Sequence, residues 1–125
     1  MAEILIIDDD PGALEVMTAA LQSAGHRVRE AGDGIGGLAL FRQHRPEIVV
    51  TDMVMPGKEG VEVIRQLRRE DPNIAILAVS GVVNSRFYLH VATQFGADAI
   101  LAKPFRPDDL IDAVSELLNP PLHAA

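Results

Sequence analysis

The chain has 125 residues, 48% of them hydrophobic, enough for one buried core and too few for a second domain of useful size. It contains no cysteine, which excludes a disulfide framework and a thiolate metal site and makes a reducing compartment, the cytoplasm, the expected setting. Eleven basic against eighteen acidic side chains give a formal charge of −7, which repels a phosphate backbone and speaks against direct nucleic-acid binding.

The first apolar run, Glu3 to Ile7, is short enough for a buried strand and ends on three acids, Asp8, Asp9 and Asp10. The stretch MAEILIIDDD lacks the basic lead and cleavage site of an export signal, and no run approaches the ~20 apolar residues of a membrane span. Helix one is expected to start with Asp10 as cap and Pro11 at the first helical position, to turn Leu14, Met17 and Leu21 inward, and to stop at Gly25. A weaker strand covers Arg27 to Ala31. Helix two follows Asp33 with Ile35, Leu38 and Phe41 inside, and Gly32, Gly34, Gly36 and Gly37 weaken its first turn without forming a dinucleotide fingerprint.

The third run, Glu47 to Thr51, leads into Asp52, and helix three spans roughly Glu59 to Arg69 with Val61, Ile64 and Leu67 inward. A fourth run, Ile74 to Val79, leads into Ser80. Helix four, about Ser85 to Phe95, spreads apolar character around its cylinder, and Phe87, Tyr88 and Phe95 read as core rather than contact surface. The fifth run, Ala99 to Ala102, leads into Lys103, and helix five runs from Pro107 to Leu118 with Leu110, Ile111, Val114 and Leu117 inward. Two prolines in NPPLHAA forbid a longer helix, so residues 1–118 form the folded unit and 119–125 a tail or the stub of a linker.

Five short apolar runs alternating with amphipathic stretches describe an α/β fold: a doubly wound, five-stranded parallel sheet with helices on both faces, three layers in all. Ligands of such sheets bind beyond the carboxyl ends of the strands, where strand order reverses. With a flavodoxin-like order 2-1-3-4-5, strands one, three, four and five are neighbours, and Asp8, Asp9, Asp52, Ser80 and Lys103 converge on one pocket. Carboxylates packed together repel, and a hard divalent cation, Mg2+, relieves that repulsion. Lys103 and Ser80 supply a positive charge and a hydroxyl suited to phosphoryl oxygens, and Asp52, central among the acids, is the candidate nucleophile for an aspartyl phosphate. Lys103 precedes Pro104, and the isomer of that bond, which would aim the lysine, is left open by the sequence. Asp10 reads as a plain cap, and His26, His44, His90 and His123 lack the spacing of a metal site.

The segments ILIIDDDPG, TDMVMPGKEG, AILAVSG and GADAILAKPF, in that order, closely resemble the response-regulator receiver family of two-component signalling over essentially the whole chain. The resemblance implies that Asp9 ligates Mg2+ directly and Asp8 through water, that Asp52 is phosphoacceptor and metal ligand, and that the backbone carbonyl of Val54 completes the protein's share. Ser80 and Lys103 match the hydroxyl and lysine that hold the phosphoryl oxygens. The family takes its phosphoryl group from a sensor histidine kinase or phosphotransfer protein, catalyses that transfer and its own slow hydrolysis, and docks on a downstream target or an effector domain absent from this chain. A homodimer through helices four and five is compatible with the sequence. Three residues before the lysine the family usually carries Tyr or Phe, where this chain has Ile100, so the usual ring-based relay is not written here. Val54 and Val82 border the family's path for attacking water and are expected to slow dephosphorylation.

Three rivals remain at this level. A flavin-binding domain of the same order fails on charge, since three acids after strand one repel a flavin phosphate. An aspartyl phosphatase places its nucleophile after strand one. A pseudo-receiver, a phosphorylation-independent protein-interaction module, keeps the fold without the chemistry.

Overall fold

The computed structural model describes residues 1–53, 60–81 and 85–119, apart from the side chains of Ser85, Tyr88 and Leu89. The elements run β1 (Glu3–Ile7), α1 (Pro11–Ser23), β2 (Arg27–Ala31), α2 (Gly34–Gln43), β3 (Ile48–Asp52), α3 (Gly60–Glu70), β4 (Ala75–Ser80), α4 (Ser85–Phe95), β5 (Ala99–Ala102) and α5 (Pro107–Leu118). All strand pairs are parallel, as expected from the alternation of runs, and the order is β2-β1-β3-β4-β5, the flavodoxin-like order on which the convergence of the site residues depended. Strand order reverses between β1 and β3, so their carboxyl ends flank the crevice where ligands of such sheets sit.

The inner strands are aliphatic over most of their length because both of their faces are covered. One face carries Leu5, Ile7, Val49, Ile76 and Ala78 against Leu38 and Phe41 of α2, Val63, Ile64 and Leu67 of α3, and Ala92 of α4. The other carries Ile4, Ile6, Ile48, Val50, Leu77 and Val79 against Met17 and Leu21 of α1 and Leu110 and Val114 of α5. Successive residues of one strand therefore serve different layers, as the two-residue period of a strand requires.

Helix starts follow their caps. The Asp10 side chain accepts the Gly12 N–H at 3.0 Å, as its reading as a plain cap requires, and Asp33 accepts the Gly36 N–H at 2.6 Å. After α1 the chain turns at Gly25, whose φ of +94° suits a residue without a side chain. Helix α2 corrects one expectation: Ile35 is 70% exposed instead of inward. Its buried stripe is Gly34, Gly37, Leu38 and Phe41. A Cβ on Gly37 would fall 2.4 Å from the Ile7 Cδ1, so the glycine brings the helix onto β1 and rotates Ile35 to the outside.

Helix α4 corrects another. Phe87 and Phe95 are 65% and 41% exposed, so these two rings are surface, while the Tyr88 side chain lies outside the described residues. Among the described side chains of this helix, Ala92 is buried in the core. Below this helix, Arg68 of α3 donates to the carbonyls of Pro72 (2.9 Å), Ile74 (2.7 Å) and Gly96 (2.6 Å) and to the Asp98 carboxylate (2.8 Å). One guanidinium thus ties α3, the start of β4 and the α4–β5 turn together, which its planar set of donors allows. On the opposite flank of α3, Arg42 of α2 holds the Glu70 carboxylate through two bonds of 3.0 and 2.7 Å.

Candidate functional site

The carboxyl ends of β1, β3, β4 and β5 carry the residues singled out in the sequence. Asp8 follows β1 and is fully buried, Asp52 and Ser80 are the last residues of β3 and β4, and Lys103 follows β5. Neighbouring strands hold them in register, with Asp52 opposite Val79 and Ser80 opposite Ala102. Asp8 is anchored by its own N–H, which donates to the Ala31 carbonyl at 3.1 Å, and Lys103 by its N–H to the Ser80 carbonyl at 2.8 Å.

Carboxylate oxygens of Asp8, Asp9 and Asp52 lie within 4.8 Å of one another, with Asp8 and Asp52 buried and Asp9 exposed. The Lys103 ammonium stands 2.7 Å from Asp8 Oδ2 and 3.9 Å from Asp52 Oδ2. The second Asp8 oxygen accepts the Asp10 N–H at 2.9 Å, so both oxygens of this buried carboxylate are engaged. The Lys103–Pro104 bond, left open by the sequence, is cis. Room for the lysine stem comes from Gly81, where a Cβ would lie 2.9 Å from the Lys103 Cβ.

This set fits a divalent cation. Three carboxylates against one ammonium leave two negative charges in the cluster, the charge that one Mg2+ carries, and all the acidic donors are the oxygens that a hard cation takes. The hydroxyl oxygen of Ser80 is buried and has no hydrogen-bond partner among the described residues. A buried hydroxyl left so is costly, and a ligand oxygen at the site is what would satisfy it.

Comparison with known proteins agrees with this geometry. The family model described as the response regulator receiver domain matches residues 4–115. The chain belongs to the response regulator receiver family. Phosphorylation and Mg2+ binding at an acidic pocket are general features of receivers, as is interaction with histidine kinases and downstream effectors. The chain is 35% identical to protein PilH of Pseudomonas aeruginosa over 119 residues, 94% of this chain and 98% of that protein. It is 34% identical to the DNA-binding response regulator MtrA of Mycolicibacterium smegmatis over 118 residues, 93% of this chain and 50% of that protein, so it spans about half of MtrA. Among solved structures, a response regulator receiver domain protein from Clostridium thermocellum superposes with a TM-score of 0.89 at 29% identity, covering 95% of both chains. The chemotaxis response regulator CheY4 of Vibrio cholerae gives 0.86 at 28% identity, covering 94% of this chain and 99% of that one.

Ile100 lies on β5 and is 46% exposed. Val54, with its carbonyl, and Val82 lie outside the described residues, as do 120–125 of the tail. No helix among the described residues is long and apolar enough to cross a membrane. The structure adds residues that motif reading passed over: Gly81 beneath Lys103, Gly60 against β3, where a Cβ would lie 2.1 Å from the Asp52 carbonyl oxygen, and Thr51. Two were glycines and gave no signal, because what they contribute is the absence of a side chain. Thr51 left one, a hydroxyl inside an aliphatic strand.

Proposed function

We propose that this receiver is a phosphoacceptor switch in which Asp52 takes a phosphoryl group from a phosphohistidine of a sensor kinase or phosphotransfer protein and then docks on a downstream partner. The observation that carries the reading is the cluster of Asp8, Asp9 and Asp52 with Lys103 at its edge and the buried Ser80 hydroxyl, which has no hydrogen-bond partner among the described residues.

In this reading Asp8, Asp9, Asp52 and the Val54 carbonyl would hold Mg2+, which would supply positive charge to the transferring group. An Asp52 carboxylate oxygen attacks phosphorus, the P–N bond to the donor imidazole breaks, and its electron pair leaves with that nitrogen, which takes up a proton. Lys103 needs to move little from Asp8 to meet a phosphoryl oxygen on Asp52, and the Ser80 hydroxyl donates to another. The pocket that performs the transfer also serves slow hydrolysis of the product, and Val54 and Val82 restrict the water that performs it.

Activation then reaches α4, β5 and α5 without an aromatic at position 100. The exposed Ile100, with Phe87 on α4, favours a contact surface there, and this is also the observation that supports the second reading, a module that binds proteins without phosphorylation.

Intact-mass analysis after incubation with acetyl phosphate and Mg2+ tests the reading. One phosphoryl group is expected on the wild type, dependent on Mg2+ and absent from Asp52→Asn. Labelling that persists in that variant sinks the assignment of Asp52, and no labelling of the wild type favours the second reading.

A further inference from the structure

Strand β3 reads Ile48-Val49-Val50-Thr51-Asp52, and all five residues are buried. Thr51 sits in register between Ile7 of β1 and Ala78 of β4, at the centre of the sheet. Valine has the same shape and β propensity and carries no hydroxyl to satisfy, so in these surroundings a threonine is the more costly choice unless its oxygen has work.

The oxygen does have a partner. Thr51 Oγ1 donates to the main-chain carbonyl of Asp52 at 3.2 Å. The start of α3 abuts that same carbonyl, since a Cβ on Gly60 would lie 2.1 Å from it. The next N–H, that of Met53, donates to the Val79 carbonyl at 3.0 Å, and the Met53 carbonyl accepts from Gly60 N–H at 3.2 Å. The peptide unit after Asp52 is therefore held at its oxygen by Thr51, hemmed in by Gly60 and held at its nitrogen by β4. A residue at the end of a strand ordinarily has slack in that unit. Asp52 does not.

We infer that Thr51 is a positioning residue for the phosphoacceptor: its hydroxyl fixes the peptide plane from which the Asp52 carboxylate is aimed. The inference rests on the reading of Asp52 as acceptor and goes beyond it to a residue that touches neither metal nor phosphoryl group. In-line transfer is sensitive to ångström displacements of the nucleophile, so loss of the hydroxyl is expected in the transfer step rather than in phosphodonor binding.

The test compares wild type, Thr51→Val and Thr51→Ser for labelling by acetyl phosphate with Mg2+, across phosphodonor concentrations, alongside urea unfolding and the Met53 and Gly60 amide resonances. Thr51→Val is expected to label about fivefold more slowly at saturating phosphodonor, the ~1 kcal/mol of one hydrogen bond, with the half-saturating concentration unchanged. Its Met53 resonance shifts, and its urea midpoint is no lower than that of wild type. Thr51→Ser, which keeps the hydroxyl, labels at the wild-type rate. Wild-type labelling by folded Thr51→Val overturns the inference, and so does slow labelling by folded Thr51→Ser, which would point to the methyl group instead. Failure of the reading beneath it looks different: the wild type stays unlabelled, or Asp52→Asn is labelled, whatever residue stands at 51.

Discussion

Lys103 holds Asp8 more tightly than it holds Asp52, with its ammonium 2.7 Å from the first carboxylate and 3.9 Å from the second. The lysine thus rests on a neighbour of the proposed acceptor while serving as counter-ion to a buried charge.

Replacing it tests that double service. Lys103→Met leaves the buried Asp8 carboxylate without its ammonium, and the expected cost is about 2 kcal/mol, below that of a fully buried pair because the lysine is partly solvated. Millimolar Mg2+ supplies the missing positive charge, so it should raise the urea midpoint of the variant more than that of the wild type. Equal stabilisation of the two proteins would show that lysine and cation do not share the Asp8 charge.

The two glycines beside the site differ in what an added methyl would strike. In Gly81→Ala the new atom meets the Lys103 Cβ at 2.9 Å, and a side chain can shift; in Gly60→Ala it meets main-chain oxygen at 2.1 Å. The expected losses are about 1 kcal/mol for the first and about 3 for the second, by the usual costs of overpacking. Gly81→Ala should also slow labelling by acetyl phosphate severalfold through its displaced lysine. The reverse order of stability in denaturant titrations would count against this view of Gly60.

Far from the site, Arg42 acts on Glu70. Its hydrogen bonds are the largest influence on the Glu70 carboxyl and hold it below the ordinary value of 4.5; burial opposes them, and the charges of Arg42 and Arg45 add smaller lowering effects. Because the folded value is depressed, the pair's contribution to stability is present above that ordinary value and is lost as pH falls through the folded one. In Arg42→Ala the Glu70 carboxyl should return upward, followed by carbon-detected NMR titration, and the difference in stability between the two proteins should shrink towards acid. A Glu70 titration unmoved by the substitution removes the basis for this.

Arg68→Lys should fare little better than Arg68→Ala. One ammonium cannot reach the Pro72, Ile74 and Gly96 carbonyls and Asp98 together, so each variant is expected to lose roughly 2 to 3 kcal/mol. The loss should appear as faster amide exchange at Ala97 and Asp98, whose N–H groups bond Ala92 and Ile76. Wild-type exchange in Arg68→Ala would mean that the turn holds without its clasp.

The lifetime of the phosphorylated form should shorten when Val54 and Val82 are replaced by polar residues that can hold a water. Decay of the labelled species by intact mass, after removal of phosphodonor, measures it. An unchanged lifetime in both variants dismisses a kinetic role for the two valines.

The five strands and the polar residues at their ends, Asp8, Asp9, Asp52, Ser80 and Lys103, were legible because each rests on a one-dimensional signal, a short aliphatic run followed by a polar residue, whereas the strand order that brings them together was assumed from the fold type and is borne out by the sheet. Helix faces were less so. Ile35 looked like a core position because it is apolar, yet Gly37 sets the approach of α2 to β1, and a missing side chain leaves no mark in a hydrophobic pattern. Phe87 and Phe95 misled in the same direction: both are apolar, yet α4 turns Ala92 inward and leaves these two rings at the surface. The cis bond before Pro104 was an open alternative, because cis and trans forms before proline differ by little energy until tertiary contacts choose between them.

The alternation of strands and helices distributes the site over almost the full length of the chain. A cut in the turn at Pro72 would divide it, with Asp8, Asp9 and Asp52 on one piece and Ser80 and Lys103 on the other. Neither piece could carry the chemistry alone, and the two would have to reassemble β3 against β4 before the acids met the lysine. If Asp52 is the acceptor, competence to be phosphorylated is therefore expected to report on the integrity of the whole domain.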